Sequence, residues 1–194
     1  MHALALNADH QPLKIISYQR AVNLVLDGTA YLVQGYEGAR MTSVRFSMEW
    51  PAVIALYKFV DAKPRVKFSR QNVLARDRYT CQYCAERLEL EYLTLDHVVP
   101  RAQARKNRVL LPWSGQWTHV TSWQNVAASC SGCNAAKADR TPREAGMKLL
   151  RIPRKPSPWD CVLMPFIRKD IPSEWKQYVP DEWRGYWDDE LDVE

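Results

Sequence analysis

The sequence predicts an α+β chain in three parts: a small α/β amino-terminal segment over 1–68, a metal-stapled module over 69–150, and an irregular extension over 151–194. Three observations predict this. Near the amino end, apolar residues first alternate and then fall on one helical face. In the middle, Cys81/Cys84 and Cys130/Cys133 form two C-x-x-C pairs. Beyond residue 150, Pro153, Pro156 and Pro158 punctuate a stretch in which Trp159, Trp175, Trp183 and Trp187 stand among many acids.

The elements can be taken in order. Ala3–Asn7 alternates as a short strand, and Asn7 to Pro12 reads as a turn. Ser17 is placed to cap a helix whose apolar face is Ala21, Val22, Leu24 and Val25 and whose end is Gly28. Tyr31–Val33 and Ser43–Phe46 read as strands around a Gly35–Gly38 turn. Ala52–Val60 is an apolar run whose type periodicity alone does not decide. Ser69 caps a second amphipathic helix, Arg70–Arg78, with Val73 and Leu74 inward, which feeds directly into Cys81. The amino-terminal segment carries no catalytic constellation and is expected to pack and position the rest. The extension is expected to wrap the body through its tryptophans, with the Asp188–Glu194 run solvated.

Composition limits the function classes. The chain has 194 residues, 46% of them hydrophobic, enough for one sizeable core or a smaller core with a metal-stapled module. The first ten residues lack a basic region followed by a long apolar run, and no stretch approaches the ~20 apolar residues of a membrane span. The expectation is a cytoplasmic protein with no membrane association. The net charge is +5, but 69–155 carries +8 and 156–194 carries −6. A basic centre suits a polyanion such as a phosphate backbone, although an ordinary solvated basic face gives the same count. The acidic tail could compete with nucleic acid for that face.

Paired C-x-x-C units in a reducing compartment read as metal ligands, with a redox role as the alternative. Each turn offers two thiolates, and two turns complete a closed tetrahedral Cys₄ zinc site that leaves no position for water. Zinc held by Cys81, Cys84, Cys130 and Cys133 would then be structural. Cys161 is left over and reads as a small buried hydrophobe.

Between the pairs lies Leu93-Thr94-Leu95-Asp96-His97-Val98-Val99-Pro100-Arg101. Around the second pair lies Trp123-Gln124-Asn125-Val126, then Cys130-Ser131-Gly132-Cys133-Asn134-Ala135-Ala136-Lys137. The ordered set resembles the HNH endonuclease family, and most closely its bacterial branch with a Cys₄ zinc site. The resemblance covers about 69–147, including Arg140 to Met147. It implies a ββα-metal (His-Me) finger. It implies His97 as general base, Asp96 and Asn134 as holders of a catalytic Mg²⁺ or Mn²⁺, and Asn125 as the residue that holds the loop and orients the His97 ring. It implies DNA, double-stranded in expectation, as the partner; protein partners are unknown.

The residue types agree with that chemistry. An imidazole can take a proton near neutral pH. A carboxylate and an amide oxygen make a hard site for Mg²⁺ or Mn²⁺. Asn134 stands where the family often has histidine. Neighbouring side chains on a regular strand point to opposite faces, so Asp96 and His97 can share one site only if the backbone twists, a distortion the resemblance implies. Arg101, Lys137 and Arg140 are candidates for phosphate contacts, with a solvated helix face as the alternative for Arg140.

One stretch departs from the family. Where a short Gly-rich turn is usual, Ala102–Ser122 intervenes, with Trp113, Trp117 and His119. It is either a nucleic-acid-contacting loop using Arg105, Lys106 and Arg108 or an insertion packed by its own aromatics. His119 is either a further metal ligand or base, or a surface histidine. The competing reading of the whole is a zinc-stapled module that binds nucleic acid without cutting it.

Overall fold

A computed structural model of the chain describes residues 1–44, 46–61, 65–166 and 171–181. The chain divides into two units, Met1–Arg65 with Ser157–Glu194, and Val66–Pro156. Trp183, Trp187 and the 188–194 acidic run lie outside the described residues.

The first unit is built on a four-stranded sheet. Its strands are β1 (His2–Leu6), β2 (Pro12–Ser17), β3 (Ala30–Ser43) and β4 (Phe46–Leu56), in the order β2-β1-β4-β3. β1 runs antiparallel to β2 and parallel to β4, and β3 and β4 are antiparallel. A parallel pair needs a crossover, and the excursion between β1 and β4 holds β2, α1 (Tyr18–Leu26) and β3. Ser17 caps α1, its hydroxyl accepting from the Arg20 N–H. Ala21 is fully buried on this helix. With Leu24 and Val25 it packs on Ala3, Ala5, Ala30 and Ile54 of the sheet.

The expected Gly35–Gly38 turn is not a turn. β3 runs straight through these residues and pairs with β4 across shifts in register between Leu32 and Arg40. Gly35 is there because of a close approach: a Cβ on it would collide with the Glu49 side chain of β4. Gly38, at φ +70°, takes up the irregularity. The strand reversal comes instead after Ser43, where strand had been expected. The undecided apolar run is strand as far as Leu56 and bends after it.

The extension holds more regular structure than its prolines suggest. Ser157 and Asp160 form a capping box for α4 (Pro158–Leu163), with Pro158 in the first turn. A single 3₁₀ turn, Met164–Phe166, follows it. The short α5 (Ser173–Lys176) buries Trp175 completely, and its indole N–H donates to the Ala52 carbonyl at 2.8 Å. Cys161 is half-buried in α4 rather than in a core.

The second unit carries the finger. α2 (Arg70–Arg76), capped by Ser69, precedes β5 (Leu93–His97). The strands β6 (Arg108–Leu110) and β7 (Trp117–His119) pair with each other. β8 (Val126–Cys130) returns to pair antiparallel with β5, and α3 (Ser131–Lys137) follows at once. β5, β8 and α3 are thus the two strands and helix of a ββα finger. Leu74 of α2 closes a core with Leu93 and Ala128 on one side of that pair. Arg76 ties the helix to β8: its guanidinium pairs with Asp77 at 2.7 Å and donates to the Trp123 and Val126 carbonyls. Asp77 in turn accepts from the Ala128 N–H.

The departing stretch 102–122 is therefore a β-hairpin with a core of its own. Val109, Leu111 and Val120 pack with Val99, against Trp113 and Ala104. No helix among the described residues is long and apolar enough to cross a membrane.

Candidate active site

The four knuckle cysteines come together. Cys81, Cys84, Cys130 and Cys133 place their sulfurs within 4.8 Å of one another, and tetrahedral zinc with Zn–S bonds of about 2.3 Å needs such a cluster. The local chain is shaped for it. Cys130 sits at the N-cap of α3 and its Sγ accepts from the Cys133 N–H at 3.3 Å. Without metal, burial would raise the Cys81 thiol. Backbone hydrogen bonds at Cys84, Cys130 and Tyr83 outweigh that and bring it down to about 7. Burial and the neighbouring sulfurs push Cys133 up. A cation bound among sulfurs this close would displace their protons and take them as thiolates.

The knuckle reaches the strand beside it through Tyr83. Its phenol donates to Asp96 Oδ2, and burial together with the Asp96 charge raises the phenol's pKa, keeping the donor protonated. From the other side, Lys137 Nζ lies 2.9 Å from Asp96 Oδ1 and 3.0 Å from the His97 carbonyl. Asp96 is 4% exposed and the Lys137 side chain is fully buried. Lys137 therefore does not contact phosphate as expected; its ammonium neutralises a buried carboxylate. Arg140 is exposed, and its guanidinium donates to the Ala136 and Lys137 carbonyls at the end of α3. Arg101 is exposed in a 3₁₀ turn, Arg101–Gln103, and its charge is felt at His97.

Asn134 lies in α3, one turn before Lys137. Its Nδ2 donates to Thr94 Oγ1 at 2.9 Å. Thr94 and Asp96 alternate onto the same face of β5, so Asn134 and Asp96 share the α3 side of the strand. His97 leaves differently. Its Nε2 pairs with Thr121 Oγ1 at 3.0 Å, just past the end of β7. The expected twist between Asp96 and His97 is not in the pairing: register runs unbroken to His97 opposite Val126. The two residues remain electrostatically coupled. Burial and the charges of Arg101 and Lys137 lower the His97 pKa, while Asp96 pulls it up. With its pKa lowered, the imidazole is unprotonated at neutral pH and so able to accept a proton, though a weaker base than a free one.

Asn125 is fully buried. Its amide accepts from the Val99 N–H at 2.9 Å and donates to the Val99 and Val120 carbonyls. It locks the end of β5 to the end of β7, and the residue that meets the His97 ring is Thr121. Tyr83 and Thr121 were not singled out in the sequence. A tyrosine inside the first knuckle was the available signal for one; threonine at a hairpin end gave none. His119 is exposed on β7, opposite Arg108, with Nδ1 3.5 Å from the Asn107 amide.

The oxygen donors suit a hard divalent cation by type. A carboxylate oxygen has two lone pairs. One hydrogen bond to each Asp96 oxygen leaves one apiece, and the Asn134 amide, donating through nitrogen, keeps Oδ1 as a ligand atom. Opposing this, the Lys137 charge sits against the same carboxylate.

Comparison with known proteins places two families on the chain. The model for the HNH endonuclease-associated, N-terminal domain matches residues 3–64. The model for HNH endonuclease matches residues 81–140, from the first knuckle to the end of the finger. No curated protein and no solved structure matches the chain.

Proposed function

The chain belongs to the HNH endonuclease family, and from that premise we propose that it is a metal-dependent endonuclease that hydrolyses phosphodiester bonds in DNA, with duplex DNA as the body of the substrate. A nuclease or nucleic-acid-related role goes with the HNH domain itself; the catalytic assignment is the proposal. The observation that carries it is the placement of the His97 imidazole next to the buried Asp96 in the finger. The ring is held by Thr121 on one side and lies within electrostatic reach of a buried carboxylate on the other.

In this reading His97 takes the proton of the attacking water. Thr121 fixes the ring and Asn125 fixes the loop that carries Thr121. Asp96 and Asn134 would hold a Mg²⁺ or Mn²⁺ ion, which when bound supplies charge relief at the scissile phosphate and leaving oxygen. Lys137 and Tyr83 fix the Asp96 carboxylate so that its remaining lone pairs keep one direction. Arg101 is exposed near His97 and is the candidate to meet the phosphate backbone; Arg140 is a weaker one, since it already caps α3. The zinc cluster stays structural. Its thiolate chemistry suits a reducing compartment, consistent with residence in the cytoplasm.

A second reading is supported by the ion pair between Lys137 and Asp96. A carboxylate already neutralised suits a zinc-stapled binding module with no second metal. Cleavage of random-sequence DNA by zinc-loaded protein, with Mg²⁺, with Mn²⁺ and with neither, separates the two. The proposal expects cut ends only with the added ion and a loss of cutting in Asn134→Ala. Binding without cutting under every condition would favour the module.

A further inference from the structure

The hairpin β6–β7 turns one face to its own core and the other to solvent. Val109 and Thr118 form the inner pair; Arg108 opposite His119 and Leu110 opposite Trp117 form the two outer pairs. All four outer side chains are exposed, Leu110 at 47% and Trp117 at 46%. Successive outer pairs on a strand stand about 7 Å apart. The face thus presents an apolar aromatic rung next to a cationic, hydrogen-bonding one. Arg108 donates to the Trp117 carbonyl at 2.8 Å, which holds the two rungs together and leaves further guanidinium donors.

The surroundings select a polyanion. From His97 to Ala138 the sequence contains no aspartate or glutamate, while Arg101, Arg105, Lys106 and Arg108 are all exposed there. The hairpin is also fastened to the site. Val120, which follows β7, is held by Asn125, and the next residue, Thr121, holds His97. The outer face and the imidazole are thus linked through four residues of chain, Trp117 to Val120, and the Thr121 contact.

We propose that the outer face of β6–β7 binds a nucleic-acid strand through an unpaired base, Trp117 stacking on the base with Leu110 beneath its edge, and Arg108 and His119 taking the adjoining phosphates. An aromatic face on a flat ribbon finds a partner in an exposed base face, which an intact duplex hides within its stack. The inference rests on the nucleic-acid reading above and adds to it the form of the substrate: DNA with a gap, flap or other unpaired stretch beside the scissile phosphate.

The test uses the full zinc-loaded chain in a His97→Ala background, without Mg²⁺, so that probes bind but are not cut. Affinities are measured for a single strand, an intact duplex and a duplex with a short gap. The gapped and single-stranded probes should bind more tightly than the duplex. Trp117→Ala should weaken them by about 10- to 100-fold and leave duplex binding nearly unchanged, while Trp117→Phe should retain most of the preference. Matching thermal unfolding of the variants checks that the hairpin is intact. Unchanged affinity in Trp117→Ala, or a preference for intact duplex, would overturn the inference, and nicking by wild type would then leave the nuclease reading standing. Absence of binding to every probe would overturn both.

Discussion

The Lys137 ammonium lies 2.9 Å from Asp96 Oδ1, with no exposed surface on the lysine side chain and almost none on the aspartate. A helix residue and a strand residue 41 positions apart are thereby joined across the inside of the finger. The pair holds α3 on β5, and the second bond from Lys137, to the His97 carbonyl, places the adjacent backbone as well.

Breaking this pair from one side leaves a buried charge alone. Lys137→Met should destabilise the finger by about 3–5 kcal/mol, since the remaining carboxylate has no solvent to turn to. The double variant with Asp96→Asn should recover much of that loss. Urea unfolding of the three proteins measures it, and a Lys137→Met protein as stable as wild type would contradict the pairing.

Asn125 should be similarly intolerant. Its amide satisfies one buried N–H and two carbonyls. Asn125→Ala strands these groups at about 1–3 kcal/mol for each left unsatisfied. It should also loosen Thr121 and hence His97, so cleavage should fall further in Asn125→Ala than in variants of equal stability elsewhere. Thermal unfolding alongside cleavage rates separates the two effects.

Those cases mark what was legible in the sequence. The four-cysteine cluster was, because a C-x-x-C turn dictates its own geometry, and so were the Ser17 and Ser69 caps and, through the resemblance, the ββα order. Lys137 was misread because helical spacing says which residue is a turn away and not which side faces the strand. Gly35–Gly38 was misread as a turn because glycine also serves a close approach, here to Glu49, and nothing local distinguishes the uses. The 102–122 hairpin was left between two readings: Val109, Leu111 and Val120 pack inward, as an insertion with its own packing requires, while the nucleic-acid reading of the outward Leu110 and Trp117 is the proposal made above.

The knuckles make a chemical prediction. Metal analysis should find one zinc per chain. In the metal-free protein at neutral pH, Cys84, the exposed thiol of the cluster, should be alkylated ahead of the buried Cys81, whose lowered pKa does not open it to the reagent. Zinc should protect all four. Peptide mapping after brief alkylation reads the order; equal labelling with and without zinc would exclude a Cys₄ site.

Acid should affect both cleavage and stability through His97. Burial, with Arg101 and Lys137, lowers its pKa below the ordinary 6.5. The acid limb of the cleavage profile should therefore have its midpoint under 6.5. In Arg101→Ala it should move upward. The unfolded chain takes up this proton near 6.5 and the folded chain only at lower pH. The group's stabilising contribution is thus full above 6.5 and is lost as pH falls through the folded value. A limb centred above 6.5 would show that another group is titrating.

The most direct measurement is plasmid nicking in Mg²⁺ or Mn²⁺ by zinc-loaded wild type beside His97→Ala, with DNA binding followed in parallel. The account predicts that the substitution removes cleavage by several orders of magnitude while binding and zinc content persist. Equal nicking by the two proteins would contradict it, since the proton would then be taken by something other than the imidazole that Thr121 holds.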